Sequence, residues 1–311
     1  MDFSVVIPLY NKEPHVAEAI QSALDQSIAA REIIVVDDGS TDGSREIVER
    51  LRDPRVKLLT RSPPGPGGYA ARNLGIESAM GEWVAFLDAD DYWHADHLQS
   101  LAEAVAGAGE LAGGAFSRLE VVKGSQRALA PVSSRYLDPG KPNSFANMLR
   151  AWLNTGTCPI WTSAAAFRRD VLLRAGLFPS GRTLRGGDKD LWLRAMAIAP
   201  MAFSQAVTGA FRLDGVNRVS NITRHNELPL ITLTIRDLLA CSEPQISDLL
   251  KQISNNEVCL YAKYSAGRGD PVGLKFLQAL YMPSGIVTAI KVLTWSALGL
   301  FLGIFRKFQH R

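Results

Sequence analysis

Apolar residues in the first hundred positions follow two alternating rhythms. Val5-Val6-Ile7, Ile33-Ile34-Val35-Val36, Val56-Lys57-Leu58-Leu59 and Trp83-Val84-Ala85-Phe86-Leu87 are short, β-rich runs ending in turn-forming or acidic residues, and they predict strands. Between them Val16, Ala19, Ile20, Ala23 and Leu24 recur at helical spacing, as do Ser44, Ile47, Val48 and Leu51. Leu98, Leu101, Ala102 and Val105 repeat that spacing after the fourth strand. Parallel strands need crossover connections, so this alternation predicts an α/β fold: a mostly parallel sheet flanked by helices. Ligands then collect at the carboxyl ends of the strands.

The rhythm weakens beyond Gly107. Residues 112–122 offer one or two further strands, 164–167 another, 169–175 a short helix and 188–199 a longer one. Between these helices lies a polar loop, 179–187, with Arg182, Arg185 and three glycines, of a kind that closes over ligands. From Asn226 onward the chain reads as helical over 228–239, 246–253, 272–280 and 286–305. The expected division is 1–106 and 107–225 as two halves of one domain, then a helical C-terminal extension, 226–311.

Of the 311 residues, 47% are hydrophobic and 21% charged, which excludes a disordered or low-complexity chain. The formal charge of +3 is too small for bulk attraction to nucleic acid, and no nucleic-acid partner is expected. Cys158, Cys241 and Cys259 show no CxxC spacing and read as reduced, mostly buried thiols. No basic, apolar leader opens the sequence, which predicts a cytoplasmic protein. The segment 286–305 is twenty residues long with Lys291 as its single charge, and Arg306, Lys307 and Arg311 follow. That length just spans a bilayer, but a span would export the basic tail against the positive-inside tendency. A helix lying peripherally in the cytoplasmic leaflet of the cell membrane, with Lys291 and Trp295 at the interface, avoids the conflict. A helix buried on the protein or in an oligomer contact is the competing reading.

Chemistry enters at the strand ends. Trp83-Val84-Ala85-Phe86-Leu87-Asp88-Ala89-Asp90-Asp91 is an apolar run that stops in three carboxylates, which repel unless a proton, a base or a cation offsets them. Mg²⁺ or Mn²⁺ takes one or two carboxylates and completes its shell with water and phosphate oxygens, so the cluster suits a diphosphate ligand. The alternative is an acidic start to the following helix. Ile33-Ile34-Val35-Val36-Asp37-Asp38-Gly39-Ser40-Thr41-Asp42 brings further acids to the same side of the sheet. There a carboxylate can accept from a nucleobase N–H or a ribose hydroxyl, or simply build a turn. The Gly/Pro loop 62–69 lacks both the Walker lysine and GxGxxG spacing, and Arg72 beyond it meets a phosphate or a carboxylate.

Val6-Ile7-Pro8-Leu9-Tyr10-Asn11, Val35-Val36-Asp37-Asp38-Gly39-Ser40-Thr41-Asp42, Ala71-Arg72-Asn73 and Phe86-Leu87-Asp88-Ala89-Asp90-Asp91 together resemble family-2 glycosyltransferases of GT-A fold, in that family's order. The resemblance extends more weakly through Gly187-Asp188-Lys189-Asp190-Leu191-Trp192. It implies that Pro8, Tyr10 and Asn11 line a nucleotide pocket and that Asp38 contacts the base. It also implies that Asp88-Ala89-Asp90 is the DxD motif holding metal and diphosphate, with Asp90 the direct ligand. Gly187 stands where the family usually has Glu. Asp188 is the candidate general base, with Asp190 its rival and helix capping the structural alternative.

The resemblance further implies a single-addition, inverting enzyme of bacterial cell-surface polysaccharide or lipopolysaccharide assembly. Its donor is a nucleotide-sugar, UDP-linked, and its acceptor a glycan or a lipid-linked glycan. The QxxRW motif of processive synthases is absent. A catalytically silent nucleotide-sugar-binding scaffold is the non-enzyme alternative, and a sugar nucleotidyltransferase a more distant one. Arg182 and Arg185 close over diphosphate or stay solvated; Trp161 and Trp192 stack on a sugar or pack in the core. His94 and His97 are expected on the surface at a helix start, and Asn221-Ile222-Thr223 forms a glycosylation sequon expected to be silent.

Overall fold

The computed structural model describes the chain except residues 64, 66, 67, 134, 218–226, 310 and 311; for 303–309 only the backbone is described. The sequon 221–223 and the end of the basic tail therefore lie outside the described residues. The chain divides into two compact units, one of residues 1–151 with 157–221, the other of 152–156 with 222–311.

The first unit is built on β1 (Phe3–Leu9), β2 (Glu32–Asp37), β3 (Val56–Thr60), β4 (Trp83–Phe86), β5 (Tyr92–Trp93), β6 (Gly114–Lys123), β7 (Gln126–Leu129), β8 (Ala165–Arg168) and β9 (Met201–Arg212). They form one sheet in the order β3-β2-β1-β4-β8-β6-β9-β5, with β7 paired to β6. The first four strands are mutually parallel, as are β6 and β9, whereas β5, β7 and β8 run against their neighbours. The helices are α1 (Val16–Leu24), α2 (Ser44–Arg50), α3 (Tyr69–Ser78), α4 (His97–Ala108), α5 (Phe145–Thr155), α6 (Arg169–Arg174) and α7 (Gly187–Ile198).

Alternate residues of each strand serve opposite faces. Val5, Ile7 and Leu9 join Ile20 of α1 and Leu101 of α4 in one core. Val6 faces the other way, against Gly75 of α3, where a Cβ would overlap the Val6 methyl groups. Phe86 likewise leaves that core and meets Phe178 and Trp192 at 5.6 and 5.5 Å, with Phe167 stacked on Trp192 at 4.5 Å. Because both faces are covered, the strands read as continuous apolar runs. Trp192 is core.

The missed elements have local causes. Helix α3 was legible only as the exit of a loop, because Gly75 lowers helix propensity and only its contact with Val6 requires it. Strand β9 is interrupted by Ser204 and Gln205, where its register with β6 shifts, so no unbroken strand period runs along it. Strand β5 is two residues long and pairs with β9 at Tyr92↔Ala210 and Trp93↔Gly209. It ends the strand order four places from β4, yet only residues 87–91 separate the two along the chain. The linker turns instead of extending, with Asp91 N–H donating to Asp88 O at 2.9 Å, and Arg212 N–H at the end of β9 donates to Asp91 Oδ1 at 2.9 Å, so the sheet curls and β9 returns beside the end of β4.

Two expectations are corrected. His97 is not a surface residue: it is fully buried, stacked on Trp93 at 4.2 Å, with Nδ1 bonded to Thr208 Oγ1 at 2.7 Å. Among the thiols only Cys158 is buried; Cys241 is exposed and Cys259 intermediate.

The second unit contains α8 (Ile231–Leu239), α9 (Pro244–Gly267), α10 (Lys275–Gln278) and α11 (Ile286–Gln309). Its core includes Val258, Ala262, Phe276 and Val292. The helix expected at 246–253 continues to Gly267, and that expected at 272–280 shrinks to one turn. Among the described residues no helix is long and apolar enough to cross a membrane.

Candidate active site

Strand β1 has β2 on one side and β4 on the other, so the chain reverses its order across the sheet there, the position where open α/β sheets leave a crevice. Leu9 pairs in register with Asp37, and Asp38 N–H donates to Leu9 O at 2.9 Å. Leu87 N–H donates to Val6 O at 3.1 Å. Pro8-Leu9-Tyr10-Asn11, Asp38 and Asp88 thereby arrive at one edge, as parallel pairing requires.

Each carboxylate of the Asp88 cluster has a different environment. Asp88 Oδ1 accepts from Arg72 Nη2 at 2.5 Å, and its side chain is 26% exposed. Asp90 Oδ2 accepts from Lys12 Nζ at 2.7 Å, and its side chain is 14% exposed. Asp91 is buried, accepting from Ser163 Oγ at 2.6 Å and from the Arg212 backbone N–H at 2.9 Å. Burial first, and then the charges of Asp88 and Asp90, push the Asp91 carboxyl well above the usual carboxylate range, against those two hydrogen bonds. Ser163 ties the cluster together, since its Oγ also accepts from Asp88 N–H at 3.1 Å.

Lys12 was missed in the sequence, although it directly follows the Pro8–Asn11 run. Its ammonium also donates to Val216 O at 2.6 Å, and Gly215 lies so close that a Cβ there would fall 2.5 Å from Asp90 Oδ2. The segment after β9 therefore packs over Asp90. Nothing local in the sequence links positions 12, 90 and 216.

The nucleotide-side residues fall into two groups. Tyr10 is 47% exposed at the edge, with Pro8 half-buried beside it. Asn11 adopts φ 50°, donates its N–H to Ser40 Oγ at 3.1 Å and accepts from Thr41 N–H at 2.7 Å, clamping the β1 and β2 loops together. Asp38 is buried; its Oδ1 accepts from Arg61 Nη1 at 2.9 Å and Gly65 N–H at 3.1 Å.

Across the site stands the start of α7. Asp188 is half-buried there and close enough to act electrostatically on Arg72. Burial alone would lower the Arg72 pKa, but Asp88, Tyr69 and Asp188 outweigh it and hold the guanidinium charged. Arg72 also lies over the Phe178 ring at 5.6 Å. Asp190 is different in kind: it is buried and paired with Arg194 at 2.7 Å, and Arg194 Nη2 donates onward to Leu177 O at 2.8 Å. Arg182 is exposed and Arg185 half-buried in the loop before α7.

The donor set fits a hard divalent cation. Three carboxylates meet two cationic side chains, Lys12 and Arg72, and the ligand atoms of Asp88 and Asp90 are oxygens. Among the described residues no group of three His, Cys, Asp or Glu side chains would hold a metal alone.

The chain is similar to several known proteins. An uncharacterized glycosyltransferase of Nostoc sp. is 35% identical over 177 residues, covering 55% of this chain and 52% of the relative. The succinoglycan biosynthesis protein ExoO of Rhizobium meliloti is 39% identical over 137 residues, covering 44% and 38%. The amylovoran biosynthesis glycosyltransferase AmsB of Erwinia amylovora is 33% identical over 202 residues, covering 63% and 64%. The chain thus spans from about two fifths to under two thirds of these relatives. In fold it is similar to S. aureus TarS 1–349 in complex with UDP-GlcNAc, with TM-score 0.72 and 19% identity over 95% of this chain and 89% of that one. It is also similar to the mannosyltransferase PcManGT of Pyrobaculum calidifontis in complex with GDP-Man and Mn²⁺, with TM-score 0.55, 21% identity, and 98% and 87% coverage. These likenesses bear out the GT-A fold. The sequence pattern of Glycosyl transferase family 2 matches residues 4–175, more than half of the chain, and the chain belongs to that family.

Proposed function

We propose that this chain transfers one sugar from a UDP-sugar to a hydroxyl of a glycan or lipid-linked glycan, with inversion, in cell-surface polysaccharide assembly. The carrying observation is Arg72, which binds Asp88 of the strand edge and feels Asp188 of α7, so the two acids assigned to donor and acceptor act on one guanidinium. The ExoO and AmsB relatives, whose names place them in polysaccharide biosynthesis, support the acceptor class.

In this reading Asp38 accepts from the base, Tyr10 and Pro8 line its pocket, and Asn11 holds the two loops that shape it. Asp90, with Asp88, would hold Mn²⁺ or Mg²⁺. When bound, the cation supplies Lewis-acid stabilisation to the charge growing on the leaving diphosphate. Asp188 accepts the acceptor hydroxyl proton as that oxygen attacks the anomeric carbon; the carbon–diphosphate bond breaks with its electron pair on phosphate oxygen. Attack opposite the leaving group inverts the centre. Asp190 is committed to Arg194 and is not the base. Lys12 and Arg72 bring positive charge to the leaving-group side.

Calorimetric titration of UDP and GDP, with and without Mn²⁺, tests the donor site on wild type and Asp90→Ala. Metal-dependent UDP binding that disappears in the variant is the expected outcome. No metal-dependent nucleotide binding in the wild type would overturn the proposal and favour the scaffold.

A further inference from the structure

Helix α11 is built inside out. Its inward side carries Thr288, Ala289, Val292, Ser296 and Gly299, mostly small residues. A Cβ on Gly299 would fall 2.6 Å from Asp270 O and 3.1 Å from Ala266 Cα, and Ser296 Oγ donates to Val272 O at 3.1 Å. Small residues let this helix approach its neighbour closely, while Trp295, expected at a membrane interface, instead packs on the core of its own unit beside Val292 under Lys263, and most of the other bulky apolar residues point away. Ile286, Val287, Ile290, Leu293, Leu300 and Phe301 are each 54–66% exposed. At 100° per residue, Ile286, Ile290, Leu293, Ala297 and Leu300 fall within an arc of about 80°, a continuous stripe along the helix. A helix that needed only its own unit would turn those side chains inward. A stripe this long on the outside marks an interaction surface.

The charge carried by this end of the sequence selects the occupant. From Pro271 to Arg311 the chain has no Asp or Glu and five basic residues: Lys275, Lys291, Arg306, Lys307 and Arg311. Lys291 is exposed on the flank of the same outward surface, next to Val287 and Leu298. Lys275 is paired with Glu227, so the unpaired described cations along this helix are Lys291 and Lys263, the latter over the Trp295 ring at 5.8 Å; a second copy would bring like charges together, whereas an anionic lipid surface attracts both the charges and the apolar face. No described helix is long and apolar enough to cross a membrane, so the fitting geometry is a helix lying flat in the interface. We infer that the outward face of α11 is a membrane-docking surface for anionic phospholipid, inserting Ile290 and Leu293 between headgroups. The inference extends beyond the transfer chemistry, and its test needs neither donor nor metal.

The experiment is cosedimentation of the full chain with vesicles of phosphatidylcholine alone or mixed with phosphatidylglycerol, without nucleotide. Binding to the mixed vesicles is expected to exceed binding to phosphatidylcholine at least tenfold and to weaken in high salt. Leu293→Glu and Ile290→Glu, both at exposed positions, should remove it with unchanged circular dichroism. Lys291→Glu should weaken it. Equal binding to both vesicle types, or full binding by Leu293→Glu, would overturn the inference. A concentration-dependent dimer that Leu293→Glu abolishes, without vesicle binding, would also overturn it and assign the face to a second copy. Failure here would leave metal-dependent UDP binding untouched, so the two readings fall separately.

Discussion

The backbone N–H of Gly187 donates to the Tyr69 phenol oxygen at 2.9 Å, and a Cβ at position 187 would lie 2.8 Å from the Tyr69 ring atoms Cε2 and Cζ. Tyr69 is itself stacked on Phe178 at 5.7 Å. The glycine that stands where the family usually has Glu thus has a packing cause within this chain, and it does not argue for a silent site. Gly187→Glu should destabilise the protein by about 1–3 kcal/mol through overpacking. Tyr69→Ala in the same chain should recover part of that loss, a coupling that urea denaturation of both single variants and the double variant measures directly.

Asp188 and Asp190 are two residues apart, and their substitutions should separate cleanly. Asp190→Ala removes the carboxylate partner of Arg194, whose guanidinium is 22% exposed and keeps its bonds to the Ala175 and Leu177 carbonyls, and is expected to cost about 1–3 kcal/mol of stability. Asp188→Asn should keep the melting temperature and UDP binding while transfer falls by about 10²–10⁴-fold. Thermal melts alongside turnover assays distinguish them; a stable, active Asp188→Asn would remove this residue from the chemistry.

Lys12 Nζ stands 2.7 Å from Asp90 Oδ2, so under the proposed function a cation held by Asp90 has to compete with it. Removing the ammonium takes away the cationic partner of Asp90 and leaves Arg72 paired with Asp88. Lys12→Met is therefore expected to bind Mn²⁺ more tightly than wild type by titration calorimetry, with Asp90→Ala binding it more weakly. Unchanged Mn²⁺ affinity in Lys12→Met would show that the ion pair does not compete for the site.

His97 should make stability depend on pH. Burial, with His94 nearby, lowers its pKa from 6.5 to about 3, so between these values the unfolded chain holds the extra proton. Stability from this group is fully present above about pH 6.5 and is lost as pH falls toward about 3, with a slope approaching about 1.4 kcal/mol per pH unit. Urea midpoints at pH 7.0, 6.0 and 5.0 should fall accordingly. His97→Gln should flatten the trend, and an equal slope in that variant would place its origin elsewhere.

Strands β1–β4 and helices α1, α2 and α4 were legible because each obeys its local period, and the acids were legible because they end those strands. Parallel pairing then placed Asp38 and Asp88 at one edge without further information. Lys12 was not legible as a partner of Asp90, because the pairing depends on the turn after β1 meeting the turn after β4. His97 looked like a helix-start surface residue until β9 returned over it with Thr208.

By itself, then, the sequence determined the strand–helix order, the acidic strand ends and the family, since these rest on nearest-neighbour periodicity and residue type. Only the tertiary structure decided which carboxylate pairs with which base, why Gly187 replaces a larger residue, and which face of α11 meets solvent. Charge pairing, steric contact and burial depend on residues far apart in the chain, such as 69 with 187 and 12 with 90, and they exist only once the sheet has curled and the helices have packed.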